Sequence, residues 1–362
     1  MLGFKEQKKV RYGVVGLGNV SQEPLIPGVE HTGNSEITAI VTSHPLKAFE
    51  LELKYNTCKT YPYEQFQEMI DSRLVDAIYL ATPNWRHAEF AVPALEAGIH
   101  VLLEKPMEIN SARCEAILNA QKRSNAKLMI AYRLHSEPAT LHALERVRSG
   151  ELGHVHLFSS VFSQRVTQDD HRVVHGDALG PLFEMSFYPI NGVRRLFGDE
   201  PIEAFGAATR HSDSGLGDLD DTVSVILRFP GERLAQFTVS YYGNPHNAYT
   251  ILGTKAVLEV NPGYIWSKPM EHFWTEGTKE KDESFKNVDH FGIEMKYFSE
   301  CILEERDPEP DGYEGLADVR VVEAILRSQK SCTFEKIDAV VHPHRVDPSQ
   351  AHKLSPVKTR KW

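Results

Sequence analysis

The 362-residue chain predicts an α/β fold: a doubly wound parallel sheet at the N-terminus, followed by an α+β domain with a large, mostly antiparallel open-faced sheet. Three observations predict it. Strand and helix patterns alternate through the first third at the spacing of βαβ units. A glycine-rich turn stands directly after the first strand. Beyond residue 133, strands follow one another with breakers such as Pro230-Gly231 and Asn244-Pro245 between them.

Taken in order, Val10 to Val15 is an apolar strand that runs into Gly16-Leu17-Gly18-Asn19-Val20-Ser21, and Glu36 to Thr42 is the second strand. Helical spacing covers Leu46 to Tyr55 and Tyr63 to Ile70. Val75 to Ala81 is a short buried strand closed by Thr82-Pro83-Asn84; Trp85 to Ala97 is a helix, with Gly98 at its C-terminal cap. His100 to Leu103 ends in Glu104-Lys105-Pro106, Ser111 caps a helix to Ser124, and Lys127 to Tyr132 is the last strand of the first domain, 1–133. In the second domain, 134–342, strands are expected at Val155–Phe162, Ile202–Ala208, Thr222–Phe229, Leu234–Tyr241 and Ala256–Val260. Helices are expected at Leu182–Leu196, His290–Glu305 and Leu316–Lys330, and Pro343 to Trp362 reads as a polar tail or arm. An antiparallel sheet with one uncovered face finds a partner there, so a homodimer or homotetramer is expected.

Composition narrows the function. Forty basic against fifty acidic side chains give a net charge of −10, a balance that repels a phosphate backbone, so nucleic acid is not an expected partner. No apolar run approaches the ~20 residues of a membrane-spanning helix, and Met1 to Lys9 holds no signal-peptide core. The four cysteines (Cys58, Cys114, Cys301, Cys332) form no Cys-x-x-Cys pair and read as reduced packing residues of a cytoplasmic protein. His154-x-His156 and His342-x-His344 have no third ligand at sensible spacing, so no metal is expected.

Gly16-x-Gly18-x-x-Ser21, between a strand and a helix, has the context of a dinucleotide fingerprint: Gly16 for the tight turn, Gly18 for close approach of a pyrophosphate, and free N–H groups at the helix start. Leu17, Asn19 and Val20 share that loop. An NAD enzyme usually places a carboxylate at the end of the second strand. This chain has Thr42-Ser43-His44-Pro45, Lys47 nearby and no carboxylate before Glu50, which suits a 2′-phosphate; NADP is expected, with NAD possible. Glu104 and Lys105 sit on the carboxyl edge of the sheet, where open α/β folds bind ligands. A lysine there can hold a hydroxyl, polarise a carbonyl, or shuttle a proton if burial lowers its pKa from ~10.4. By the same argument Tyr132 and Arg133 point toward the cleft.

Gly16-x-Gly18, Thr82-Pro83-Asn84, Glu104-Lys105-Pro106, Ala131-Tyr132-Arg133 and the run Asn191 to Glu203 occur in the order and approximate spacing of the Gfo/Idh/MocA oxidoreductases. The chain resembles that family from Val10 to about Thr333, and within it the glucose–fructose oxidoreductase-like, NADP-dependent sugar dehydrogenases. The resemblance implies a Rossmann domain, an open-faced second domain, an active site between them, and Lys105 facing the nicotinamide after a cis bond to Pro106. The family's second signature, Asp four residues before His on a helix, falls here on Glu184 and Tyr188, which spacing places on one helix face. Glutamate for aspartate is a departure, as is the thinned glycine run Leu179-Gly180-Pro181.

The expected site is therefore Lys105, Tyr188 and Glu184 for catalysis. Tyr188 carries the proton, a nearby Lys105 ammonium lowering a phenol pKa from ~10, and Glu184 holds Lys105 charged. Thr82, Pro83, Asn84, His87, Arg133 and Arg172 join the cofactor set, and Arg133 and His135 join Lys105, Glu184 and Tyr188 around a sugar or cyclic polyol. The expected function is NAD(P)-dependent hydride transfer on a CH–OH group. An NAD(P)-binding regulatory sensor and an NAD-dependent glycoside hydrolase use the same fold. Cofactor reduction by a sugar separates the dehydrogenase from both.

Overall fold

The structure, a computed structural model, describes residues 8–18, 21–54, 58–168, 170, 173, 179–340, 350 and 353–356. Six strands, β1 (Val10–Val15), β2 (Ser35–Val41), β3 (Lys59–Tyr61), β4 (Ala77–Leu80), β5 (His100–Glu104) and β6 (Leu128–Ala131), make one parallel sheet in the order β3-β2-β1-β4-β5-β6. The order reverses between β1 and β4, so a crevice opens at their carboxyl ends. Strand β3 spans three residues, too few for a period-2 signal. The helix after Tyr63 is likewise shorter than the spacing suggests: a 3₁₀ turn, Tyr63–Gln65, then Phe66–Asp71.

The second sheet has nine strands: β7 (Val155–Ser163), β8 (Glu203–Thr209), β9 (Thr222–Phe229), β10 (Arg233–Ser240), β11 (His246–Gly253), β12 (Val257–Val260), β13 (Glu271–Glu276), β14 (Lys279–Ser284) and β15 (Glu335–Lys336). Their order is β14-β13-β12-β11-β7-β10-β9-β8-β15, and β7–β10 is its parallel pair. Strand β14, Lys-Glu-Lys-Asp-Glu-Ser, has no apolar alternation and is recognisable only through its pairing with β13 across Gly277. A helix at Pro138–Arg148 was also not expected; proline occupies its first turn, and Glu137 caps it by accepting from Ala139 N and Thr140 N (3.0 and 2.6 Å).

One expected element is corrected. The helix over 182–196 is two helices, Pro181–Met185 and Phe187–Phe197, meeting at Ser186. Pro189 has no N–H to give the Met185 carbonyl, so the helical ladder is interrupted there. At the earlier helix Ser111–Lys122 the cap is Asn110, whose side chain accepts from Arg113 N, and not Ser111.

Each face of the parallel sheet has its own apolar layer. Val15, Leu80, Leu103 and Ile130 pack with helices His87–Glu96 and Ser111–Lys122. On the other face Tyr12, Tyr79, Leu102 and Met129 meet Phe291, Met295 and Phe298 of helix His290–Leu303. Chain order suggests that this helix belongs with the second domain, yet it closes the first: Tyr12 Oη and Ser299 Oγ are 2.8 Å apart, and Asn34 Nδ2 donates to the Lys296 carbonyl.

A buried polar network joins the two halves. The guanidinium of Arg194 donates to Glu200 (2.6 Å), Glu314 (2.9 Å) and Asp318 (2.5 Å), while Tyr132 Oη, just past β6, donates to Asp318 Oδ2 (2.6 Å). Burial lifts the pKa of Asp318, Arg194 opposes, Glu314 adds, and the net value is about 7. In the unfolded chain an aspartate titrates near 3.9. The stability this group contributes is therefore fully present below that value and is lost as pH rises through about 7. Asp318→Asn is expected to flatten the fall in Tm between about pH 4 and 7, the window between the unfolded and folded values; thermal unfolding at three pH values across it checks this, and an unchanged slope excludes Asp318 as its source.

The polar tail touches the folded body at two described points. Gln350 Nε2 donates to the Glu309 carbonyl (2.9 Å), and the Leu354 carbonyl accepts from Asp289 N (3.0 Å). Among the described residues, no helix is long and apolar enough to cross a membrane.

Candidate active site

The glycine turn closes β1 against β4. Gly16 has φ +99°, and a Cβ there would stand 2.6 Å from the Ala81 carbonyl oxygen. At Gly18 a Cβ meets no described atom within 4 Å, so the loop presents open space on that side. Next to this turn, Ser21 Oγ and Thr82 Oγ1 are buried with no hydrogen-bond partner among the described residues. An open backbone approach with unpartnered hydroxyls beside it fits a dinucleotide, whose phosphates and ribose supply acceptors and donors. Gly16→Ala is expected to cost about 1–3 kcal/mol of stability through backbone strain. Gly18→Ala is expected to keep the wild-type Tm and weaken NADP binding about tenfold, equivalent to 1.4 kcal/mol. Thermal unfolding and calorimetric titration of the two variants separate these outcomes.

At the end of β2, Thr42 is buried, and its Oγ1 accepts from His44 N (3.2 Å), which shapes the turn. Ser43, His44 and Lys47 are exposed there, with the first carboxylate, Glu50, exposed on the helix Pro45–Lys54. After β4, Pro83 is exposed and Asn84 Oδ1 accepts from Trp85 N (3.2 Å). Leu17 is buried, whereas Asn19, Val20 and Arg172 lie outside the described residues.

Beyond β5 the Lys105–Pro106 bond is cis, as the resemblance implies. The Lys105 side chain is 12% exposed, and Nζ donates to the main-chain carbonyl of Glu184 (2.9 Å), with Glu184 Oε1 farther off at 3.8 Å. Nζ also lies over the Tyr188 ring, 5.0 Å from its centroid. Burial alone depresses an ammonium pKa, but Glu184, Tyr188 and Glu104 outweigh both burial and Arg133, and Lys105 ends above its ordinary value. Of the roles open to a lysine here, the proton shuttle that a lowered pKa would allow is therefore set aside: Lys105 is a fixed cation.

Tyr188 sits between two cations. Arg133 Nη2 donates to its Oη (3.2 Å), and the guanidinium carbon lies 5.1 Å from the ring centroid. Arg133 is itself held by the Tyr264 carbonyl and by His290 Nδ1 (3.1 Å). Burial and Arg133 keep His290 neutral, its pKa well below the usual histidine range, so that nitrogen accepts. The phenol oxygen accepts from Arg133, and among the described residues its own proton has no acceptor.

Two expected site residues are placed elsewhere. His135 is 1% exposed, with Nδ1 3.0 Å from Glu309 Oε2 and Nε2 2.7 Å from Asn191 Oδ1, so both nitrogens are used inside the fold. His87, also 1% exposed, has both nitrogens against main-chain carbonyls. Glu104 turns under the sheet edge, where Tyr79 Oη donates to it. Burial raises its pKa against the pull of Tyr79, Lys105 and Arg133. Sequence reasoning passed over Glu294, 2% exposed, whose carboxyl oxygens have no hydrogen-bond partner among the described residues. Burial and then Glu104 hold its pKa well above the usual carboxylate range, with Arg133 opposing. A carboxylate inside the apolar run Phe291-Gly292-Ile293-Glu294-Met295 was the available signal.

Comparison with known proteins gives concordant results. Residues 10–132 match an oxidoreductase family with an NAD-binding Rossmann fold, and residues 140–259 match the GFO/IDH/MocA C-terminal domain. D-xylose 1-dehydrogenase (NADP+) of Haloarcula marismortui is 28% identical over 338 residues, 91% of this chain and 93% of that protein. Trans-1,2-dihydrobenzene-1,2-diol dehydrogenase of Homo sapiens is 27% identical over 307 residues, 81% and 88% of the two chains. The crystal structure of aldose-aldose oxidoreductase from Caulobacter crescentus, complexed with glycerol, superposes with a TM-score of 0.84 at 30% identity, over 91% of this chain and 100% of that one.

Proposed function

The chain belongs to the Gfo/Idh/MocA oxidoreductase family, and on that premise we propose that it is an NADP-linked dehydrogenase or reductase of a sugar or cyclic polyol. The observation that carries the reading is the pair Lys105 and Tyr188: a buried cation above a phenol ring, at the carboxyl edge of the nucleotide-binding sheet. NADP is favoured over NAD by the exposed Ser43, His44 and Lys47 at the end of β2. The relative named for NADP+ supports the same choice.

The nicotinamide, when bound, accepts the hydride from a carbinol carbon or returns it to a carbonyl. The remaining work falls to the protein. Lys105, fixed by the Glu184 carbonyl, holds positive charge where the substrate oxygen gains negative charge during reduction. Tyr188, whose oxygen accepts from Arg133, gives its proton to that oxygen in reduction and takes it back in oxidation. Tyr264, with its ring 5.7 Å from that of Tyr188, and Phe162 at 5.6 Å wall the phenol on the second-domain side. The proposed assembly is a homodimer or homotetramer in which a second copy covers Val161, Ile226 and Leu234, exposed at 42%, 37% and 43%.

The test is NADPH absorbance on mixing the protein with NADP and a panel of aldoses, ketoses and inositols, repeated with NAD. Reduction of NADP by at least one sugar is the expected result. A protein that binds NADP but reduces it with no member of the panel fits a sensor. Glycoside cleavage without net NADPH indicates a hydrolase.

A further inference from the structure

Arg133 is 7% exposed, and its guanidinium meets three acceptors: the Tyr264 carbonyl and Tyr188 Oη (3.2 Å) on Nη2, and His290 Nδ1 (3.1 Å) on Nη1. All three are neutral. Arg194, also buried, is treated differently, being paired with the carboxylates of Glu200, Glu314 and Asp318. Two acids feel Arg133 without bonding to it. Glu104 accepts from Tyr79 Oη and is raised by burial; Glu294, one helical turn beyond His290, is held well above the usual carboxylate range by burial and Glu104. On the phenol side, Lys105 lies over the Tyr188 ring and faces Glu184. An arginine only donates, so the nitrogen that meets Nη1 carries no proton. Burial and then Arg133 keep the His290 ring neutral, which leaves its single proton on Nε2. Asp289 caps the helix His290–Leu303 by accepting from Gly292 N (2.9 Å), which fixes the backbone from which this ring projects.

We infer that His290 is a positioning residue: its proton-free Nδ1 holds Arg133 against Tyr188 without neutralising it, so that the guanidinium charge is felt in full at the phenol oxygen. The inference rests on the reading of Tyr188 as proton carrier proposed above. That oxygen turns negative when Tyr188 gives its proton to the substrate, and an unneutralised cation 3.2 Å away stabilises it. A carboxylate in the place of the ring would hold the arginine equally well and cancel its charge.

Asparagine and aspartate share one shape and differ at the atom in the place of Nδ1, a neutral acceptor in one and a carboxylate oxygen in the other. His290→Asn is expected to lower kcat about threefold and His290→Asp about a hundredfold, with NADP affinity within a few fold of wild type in both. In sugar oxidation, the acid limb of the kcat–pH profile is expected to lie about one pH unit higher in His290→Asp than in His290→Asn, since the added carboxylate opposes the negative oxygen that takes up the proton. A merely structural role would move both variants together and leave the limb in place. Equal kcat and superimposable profiles, in a wild type that reduces NADP, overturn the role of His290 and leave the functional reading standing. Wild-type protein that reduces NADP with no sugar overturns both. Should His290→Asp fail to fold, wild-type protein labelled with ¹⁵N at histidine decides, with His290→Asn assigning the resonances. The His290 ring must stay neutral with its proton on Nε2 between about pH 6 and 8, and its Nδ1 resonance must shift in Tyr188→Phe. A proton on Nδ1, or a resonance indifferent to that substitution, overturns the inference.

Discussion

Lys105→Met is expected to lower kcat by about a thousandfold or more while NADP still binds within a few fold of wild type. Methionine fills nearly the same volume, so the 12%-exposed site stays packed and only the charge and its donors leave. The loss has two parts. No ammonium remains to face a developing oxyanion, and the Glu184 carbonyl loses the bond that ties the helix Pro181–Met185 to Lys105. Because the carboxylates around Lys105 outweigh burial and keep its pKa above the ordinary value, its deprotonation puts no limb on the pH–rate profile below about pH 10. Steady-state kinetics with calorimetric NADP titration checks the pair of expectations. A loss of less than tenfold removes Lys105 from the chemical step.

Tyr188→Phe is expected to lower kcat by about a hundred- to a thousandfold with Tm nearly unchanged. The ring keeps its contacts with Phe162 and Tyr264 and its place beneath the Lys105 ammonium. The hydroxyl takes away one hydrogen bond from Arg133, which retains the Tyr264 carbonyl and His290. The substitution therefore isolates the proton that moves. A matched loss in Lys105→Met and Tyr188→Phe, with the double variant no worse than either, would show that the two act as a unit. Turnover equal to wild type would assign proton transfer to another group.

How far the sequence discloses this site can be judged residue by residue. Gly16, Gly18 and Lys105 stand where the sequence places them, just past strand ends, a local property; Glu184 and Tyr188, expected on one helix, fall on two that meet at Ser186. Strands β13 and β14 were not legible, because a strand whose exposed residues carry the charges is defined by its neighbours in the sheet. His135 and His87 were read as facing ligands, and each is buried with its two nitrogens used by the protein. Histidine in a cleft motif looks the same in sequence whether it points in or out. Glu184 shows a further limit. Its carboxylate was expected to orient Lys105, but the shorter bond comes from its main-chain carbonyl, which no side-chain identity reports. That bond also explains how glutamate can stand where the family has aspartate, since the lysine is anchored by an atom common to both.

The helix His290–Leu303 has a consequence for how the chain is made. Until those residues leave the ribosome, one face of the parallel sheet, with Tyr12, Tyr79, Leu102 and Met129 on it, has no Phe291, Met295 or Phe298 to cover it. The nascent first domain is thus born with a sticky apolar surface and must wait for the chain from residue 134 to Phe298 to be synthesised before it is sealed. A fragment ending near residue 133 would carry that surface permanently, and its fate would be aggregation or capture by a chaperone. The nucleotide site is accordingly a product of the finished chain, assembled only when its last helices return to its beginning.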